Sequence, residues 1–419
     1  MIDPQNASVY IVAGREESRV NDRVTKLLSL RDRFHAVTLV TPGSRTSDKA
    51  RLKVPPTIGI TGLLRVLRLS KLKESMDRYL YFPSLDIRFV WAIKHPLSKR
   101  LDADINAGLV PIVVLTFPPH ALGLIALRIK KKHPSVRVIL DWQDLWSFDP
   151  NYAERSPNLY KKRIRRWEEN FIATADFHLT TNERAAMVLV NQYNAPADRV
   201  GYIEHHFHPN DLISEGREPV STTQYGPIKL AFMGTLDKPP RVPGLELLDV
   251  VREVNSRRRL VELHVYGSIP DMTKEERQLA TDSGIVFHGL VTHEKATRAL
   301  VNYDVLVILL ADMPNSRVVL SIKLPHYLLA EKPILAITPG DSAIADVIES
   351  TGAGLVIDTS SSATKSWHSK LSEILSDKNR LTNLDCNRSQ SAIDTYHWEN
   401  IAPRWVDVLT GAQKMGNKE

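Results

Sequence analysis

The feature that most constrains this chain is the run Ser321 to Ala336, Ser-Ile-Lys-Leu-Pro-His-Tyr-Leu-Leu-Ala-Glu-Lys-Pro-Ile-Leu-Ala. A small residue, a single lysine and then Tyr327-Leu328-Leu329 read as the opening of a helix, which Pro333 stops before a buried strand starts at Ile334. The helix is therefore expected to begin near Ser321. Ahead of it lie an apolar strand, Val305 to Leu310, and a polar loop with Asp312, Pro314, Asn315 and Ser316. Strand, loop and helix start together make an anion pocket, because the unpaired N–H groups of a helix start and its dipole both favour a phosphate. Lys323, expected in the first turn, adds a point charge to it.

The same alternation runs through the rest of the chain. Ser8 to Gly14 reads as a buried strand, Val20, Val24, Leu27 and Leu28 recur at helical spacing, and Ala36 to Val40 makes the next strand. Further strands are expected at 110–116, 136–140, 177–180 and 200–203. A polar linker from Asp211 to Pro227 follows, and then strands at 228–234, 263–267 and 285–290. With 419 residues, 43% hydrophobic and 25% charged, the chain has material for two α/β domains with separate cores. In such sheets the ligand crevice lies at the carboxyl ends of the strands. Gly234, Gly267 and Gly289 each close a strand of the second half, where a ligand can approach the backbone. Polar clusters around His120 and from Asp141 to Asp144 occupy the corresponding ends in the first half.

The run from Ser321 resembles the donor-site helix of nucleotide-sugar glycosyltransferases of the GT-B fold and is most similar to glycosyltransferase family four. The resemblance implies an α/β chain of two Rossmann-like domains facing each other across a deep cleft. An acceptor-side domain is expected at 1–208, a donor domain at 209–394, and a C-terminal helix at 395–419 that returns to the first. In that family a Glu near Tyr327 holds the nucleotide ribose. Here His326 takes that place, Val318 stands where an earlier Glu is expected, and Glu331 where a Gly is usual. The stretch from Gly234 through Thr235 to Arg241 resembles the family's glycine loop followed by a phosphate-binding cation. The donor-binding residues so implied are Gly234, Thr235, Arg241, Gly267, Ser321, Lys323 and His326. Phe117-Pro118-Pro119-His120 and Asp141-Trp142-Gln143-Asp144 resemble the acceptor-side signature of a bacterial subgroup, which makes His120, Asp141 and Asp144 the catalytic candidates.

The implied reaction moves a sugar from a nucleotide-diphosphate sugar to a hydroxyl of a glycan or lipid-linked acceptor, with retention of configuration and with no metal or other cofactor. Two other readings stay open: a nucleotide-sugar epimerase of the same fold, and a degenerate homologue that binds nucleotide without turnover.

A net charge of +7 points to acidic partners, which include nucleotide phosphates, an anionic membrane surface and nucleic acid. The dispersed Lys and Arg, with no recognition motif, count against nucleic acid. A single cysteine, Cys386, excludes an internal disulfide and a multi-cysteine metal site and fits a reducing, cytoplasmic setting, extending to the cytosolic face of a membrane. Leu63 to Lys73 alternates aliphatics with Arg65, Arg68 and Lys71, a pattern shared by an interfacial helix on anionic lipid and by a packed helix with a solvated edge. The basic run Lys161 to Trp167 reads first as a solvated helix face, and Arg15 and Arg19 are strand-end cations of either kind. Asp102-Ala103-Asp104 copies a metal-holding Asp-x-Asp only superficially, because it precedes a strand, and His205-His206-Phe207-His208 reads as junction loop more readily than as a ligand set.

Overall fold

The computed structural model describes residues 1–14, 22–42, 52, 87–148, 158–208, 211, 226–234, 236, 244–269, 272–313, 315–360 and 366–412. They form two compact units, Met1–Glu204 with Ala402–Glu419, and His205–Ile401. The divisions fall at 204/205 and 401/402 rather than at 208/209 and 394/395, because Phe207 is held by the segment before the last helix. Its N–H donates to Tyr396 O at 3.1 Å and its carbonyl accepts from Trp398 N at 2.8 Å.

The first unit is a parallel sheet of β1 (Ala7–Ala13), β2 (Ala36–Val40), β3 (Val110–Phe117), β4 (Arg137–Trp142), β5 (Phe177–Thr180) and β6 (Val200–Tyr202), in the order β2-β1-β3-β4-β5-β6. Its helices are α1 (Asp22–Leu27), α2 (Ile87–Asn106), α3 (Gly123–Lys132), α4 (Asn158–Thr174) and α5 (Glu183–Tyr193). Val138 to Trp142 are all buried, as expected of a central parallel strand covered on both faces. Asn182 caps α5 by accepting from Ala185 N at 3.0 Å.

The second unit is a parallel sheet of β7 (Ile228–Met233), β8 (Val261–Tyr266), β9 (Ile285–Gly289), β10 (Val305–Leu309), β11 (Ile334–Thr338) and β12 (Gly354–Asp358), in the order β12-β11-β10-β7-β8-β9. Its helices are α6 (Gly244–Val254), α7 (Lys274–Asp282), α8 (His293–Ala299), α9 (Leu324–Leu329), α10 (Ala343–Thr351), α11 (Trp367–Leu375), α12 (Lys378–Thr382) and α13 (Gln390–Asp394). A last helix, α14 (Trp398–Thr410), crosses the boundary. Alternate residues of β7 feed two cores: Ala231 and Met233 join one, Leu230 and Phe232 the other. Strand order reverses between β7 and β10, and that reversal is where a doubly wound sheet opens its ligand crevice. The two-sheet α/β architecture expected from the sequence is the one found. Among the described residues no helix is long and apolar enough to cross a membrane.

Candidate functional site

In the second unit the strand ends at the reversal are built from glycine and lysine. Gly234 follows β7 with φ +142°, and Gly267 follows β8 with φ +135°. Gly234 N donates to Tyr266 O at 2.7 Å, and Gly267 N to Gly289 O at 2.8 Å. A Cβ on Gly267 would lie 1.9 Å from Gly234 O, and a Cβ on Gly234 would lie 2.2 Å from Lys323 Nζ. Three of the sequence candidates are thus interlocked, with the Lys323 ammonium resting against the glycine and 5.3 Å from the centroid of the Phe232 ring. Tyr327, fully buried, pins the reversal itself: its hydroxyl accepts from Met233 N at 3.2 Å and donates to Val307 O at 3.4 Å.

The helix that follows differs from expectation. It runs only from Leu324 to Leu329, with Lys323 at the position that flanks it and Ser321 in the preceding turn. Proline has no N–H, so Pro325 is tolerated in a first turn but cannot donate back to Ser321 as a helix starting there requires. Instead Leu324 N donates to Ser321 O at 3.1 Å, closing a tighter turn. Ser321 Oγ accepts from Lys323 N at 3.4 Å. The positive potential here therefore rests more on the lysine charge than on a long helix dipole.

His326, placed by resemblance at the ribose, is buried, with Nε2 3.9 Å from the carboxylate of Asp211. That carboxylate also accepts from His208 N at 2.8 Å, so the imidazole is built into the start of the linker. Thr235, Arg241 and Pro314 lie outside the described residues, as do Arg15, Arg19 and Leu63 to Lys73. Arg317 is not among the residues expected at the site. Its guanidinium pairs with Asp312 and with Asp341 at 3.0 Å, tying the loop after β10 to that after β11. A lone arginine in a loop carries no local signal of such partners.

The acceptor-side candidates collect at the ends of β3 and β4. His120 lies flat on Trp146, with centroids 5.1 Å apart and planes 4° apart, and its Nε2 donates to Asp144 O at 3.1 Å. Burial pushes its pKa down to about 4, so the ring is neutral near pH 7. Close behind, Gly14 meets Pro119: a Cβ on Gly14 would lie 2.1 Å from the proline Cγ. The Asp144 side chain is exposed.

Asp141 is a different case from the one expected. It is fully buried and takes Arg23 Nη2 at 2.9 Å and Arg23 Nε at 3.2 and 3.3 Å, with Gln143 Nε2 at 3.3 Å. Arg23 also donates to Ile203 O at 2.7 Å and Glu204 O at 3.1 Å, and lies over Trp405 at 4.9 Å. Its surroundings make this carboxylate the anchor of a buried network within the first unit.

Asp102 and Asp104 ride on α2, where Asp104 accepts from Tyr10 Oη at 2.5 Å and Asp102 pairs with Lys132 at 2.9 Å. His205 and His206 are buried, and His206 packs on Trp398 with ring centroids 4.9 Å apart. Among the described residues no group of three His, Cys, Asp or Glu is arranged to hold a metal ion.

Residues 227–377 match the family described as Glycosyl transferases group 1. No curated protein matches the chain at the level of sequence. Among solved structures the chain is similar to sucrose-phosphate synthase from Thermosynechococcus elongatus, at 14% identity over 97% of this chain and 100% of that one, TM-score 0.63. It is similar to the Anabaena protein HepE in complex with UDP, at 11% identity over 96% and 99% of the two chains, TM-score 0.61. WaaG, a glycosyltransferase involved in lipopolysaccharide biosynthesis, is 15% identical over 96% and 100% of the two chains, TM-score 0.57. These likenesses span nearly the whole chain and establish the GT-B fold that the run from Ser321 suggests.

Proposed function

We propose that this GT-B chain transfers a sugar from a nucleotide-diphosphate sugar to an acceptor hydroxyl, with the second unit holding the donor. The observation that carries the reading is the Lys323 ammonium set against Gly234 where the strand order reverses. The two glycines let the strand ends and the lysine pack this closely, and a cation so fixed stabilises the charge that grows as the diphosphate departs. The group 1 match covers every residue of this cluster, and a similar structure holds UDP.

The charge of Lys323 favours a reaction without a divalent metal, and the resemblance assigns Arg241 as a second phosphate-binding cation. The committed state of Asp141 favours retention, in which the leaving phosphate takes the acceptor proton and no protein base is required. A polysaccharide or glycolipid acceptor is supported by the likeness to WaaG and to the bacterial subgroup signature around His120. One observation favours a second reading, nucleotide binding without turnover: His326, standing where the resemblance expects Glu, is buried against Asp211.

Calorimetric titration of UDP and nucleotide sugars tests both readings. Lys323→Ala removes a charge-assisted contact of about 1.5–3 kcal/mol, so affinity is expected to fall about tenfold or more. Equal affinity in wild type and variant removes the donor site from this cluster. Binding with no sugar released to any acceptor supports the second reading.

A further inference from the structure

The first unit carries a concavity that the donor chemistry does not use. It lies between α2 and α3 and encloses about 530 Å³, within the range of small-molecule sites. In a right-handed βαβ unit a helix that leaves the carboxyl end of one strand returns to the amino end of the next. The last turn of α3 and the end of α2 therefore sit at the sheet edge opposite the one where ligand crevices form.

The floor is aliphatic: Leu97 and Leu101 from α2, Ile125 and Ile129 from α3. The rim is cationic, with exposed Lys94, Arg128 and Lys131, and among the described residues no carboxylate lines the cavity. Lys132, also at the rim, is already engaged: it donates to Asp102 at 2.9 Å and to Ser98 Oγ at 2.7 Å. Trp91 is 49% exposed and shares a helix stripe with the lining residues Lys94, His95 and Ser98, one turn before them. A free inorganic anion makes no use of a four-residue aliphatic floor, and a neutral amphiphile makes no use of three unpaired-sign cations around it. Apolar depth, a basic rim and an exposed tryptophan are together the composition that settles at the boundary between acyl chains and anionic headgroups.

We infer that this groove takes one acyl chain of an anionic membrane phospholipid, with the methylene chain along Leu97, Leu101, Ile125 and Ile129 and the headgroup phosphate against Lys94, Arg128 and Lys131. The site stands independently of the donor reading, and the two fail separately.

The test uses the full chain. Dodecyl phosphate, below its micelle concentration, serves as a soluble probe, and vesicles of phosphatidylglycerol or phosphatidylcholine serve as surfaces. The expected result is saturable binding of one dodecyl phosphate, no competition by millimolar inorganic phosphate, and co-sedimentation with phosphatidylglycerol vesicles only. Arg128→Glu with Lys131→Glu, both at exposed positions, is expected to weaken both kinds of binding at least about tenfold, roughly 1.4 kcal/mol, while UDP affinity stays unchanged. Inorganic phosphate binding as well as dodecyl phosphate reduces the groove to a basic patch and overturns the inference. So does equal sedimentation with phosphatidylcholine, and so does vesicle binding that survives the double charge reversal.

Discussion

At the scale of single residues, the second unit depends on where a Cβ is allowed. Gly234 has none to spare: φ is +142° and an added methyl would sit 2.2 Å from Lys323 Nζ. Gly234→Ala is expected to push the ammonium aside and weaken UDP binding about tenfold, roughly 1.4 kcal/mol. Calorimetry checks this, and undiminished affinity would separate the lysine's position from its use. Glu331 is the opposite case, a side chain on left-handed backbone at φ +56°. That geometry is the physical reason a glycine is usual there in similar helices. The left-handed conformation costs an ordinary residue about 1–2 kcal/mol, and glycine's greater freedom in the unfolded chain gives back up to about 1 kcal/mol of that gain. Glu331→Gly is therefore expected to be neutral or mildly stabilising, while β-branched Glu331→Val loses at least about 1 kcal/mol. Denaturant midpoints of the two variants decide it, and Val equal to Glu would show that the backbone relaxes.

At the scale of elements, Arg23 ties α1 to distant parts of the first unit. Arg23 reaches the end of β4 through Asp141 and the end of the sheet through the carbonyls of Ile203 and Glu204. Breaking a buried pair strands a charge, so Arg23→Met or Asp141→Leu alone is expected to cost about 3–5 kcal/mol, and the double variant Arg23→Met with Asp141→Leu should recover part of it. Urea denaturation of the three variants checks the coupling; additive losses would mean that the pair acts as two separate residues. The network also marks the limit of what sequence reading reaches. The strands were legible, because parallel strands covered on both faces must be apolar runs, and so was the polar cluster that ends β4. The partner of Asp141 was not, since Arg23 stands 118 positions away and only tertiary folding joins them. The short α9 was legible in principle: Pro325 forbids the helix start at Ser321 that the small residue and lysine otherwise suggest. At the cluster of Gly234, Gly267 and Lys323 the identities could be read, but their mutual contact could not.

At the scale of the whole molecule, histidines held neutral set the response to acid. Burial pushes His120 and His178 down to about 4. For His178 the neutral tautomer is written into its contacts: Nε2 donates to Ile172 O at 3.0 Å, and Nδ1 accepts from Trp142 Nε1 at 3.4 Å. In the second unit His264 and His288 also lie below the ordinary value, through burial first and then through neighbouring positive charge, and their facing nitrogens are 2.9 Å apart. Unfolding releases all four to titrate near pH 6.5. Between about 4 and 6.5 the unfolded chain therefore holds more protons than the folded one, so stability rises with pH across that window and levels off above it. Each such proton tilts the balance by about 1.4 kcal/mol per pH unit. The denaturant midpoint is accordingly expected to fall from pH 7 to pH 5. His178→Gln keeps one donor and one acceptor for the same partners and titrates nowhere in the range, so it should flatten the slope by about one proton. A slope identical to wild type would mean that His178 takes up its proton in the folded chain as readily as in the unfolded one.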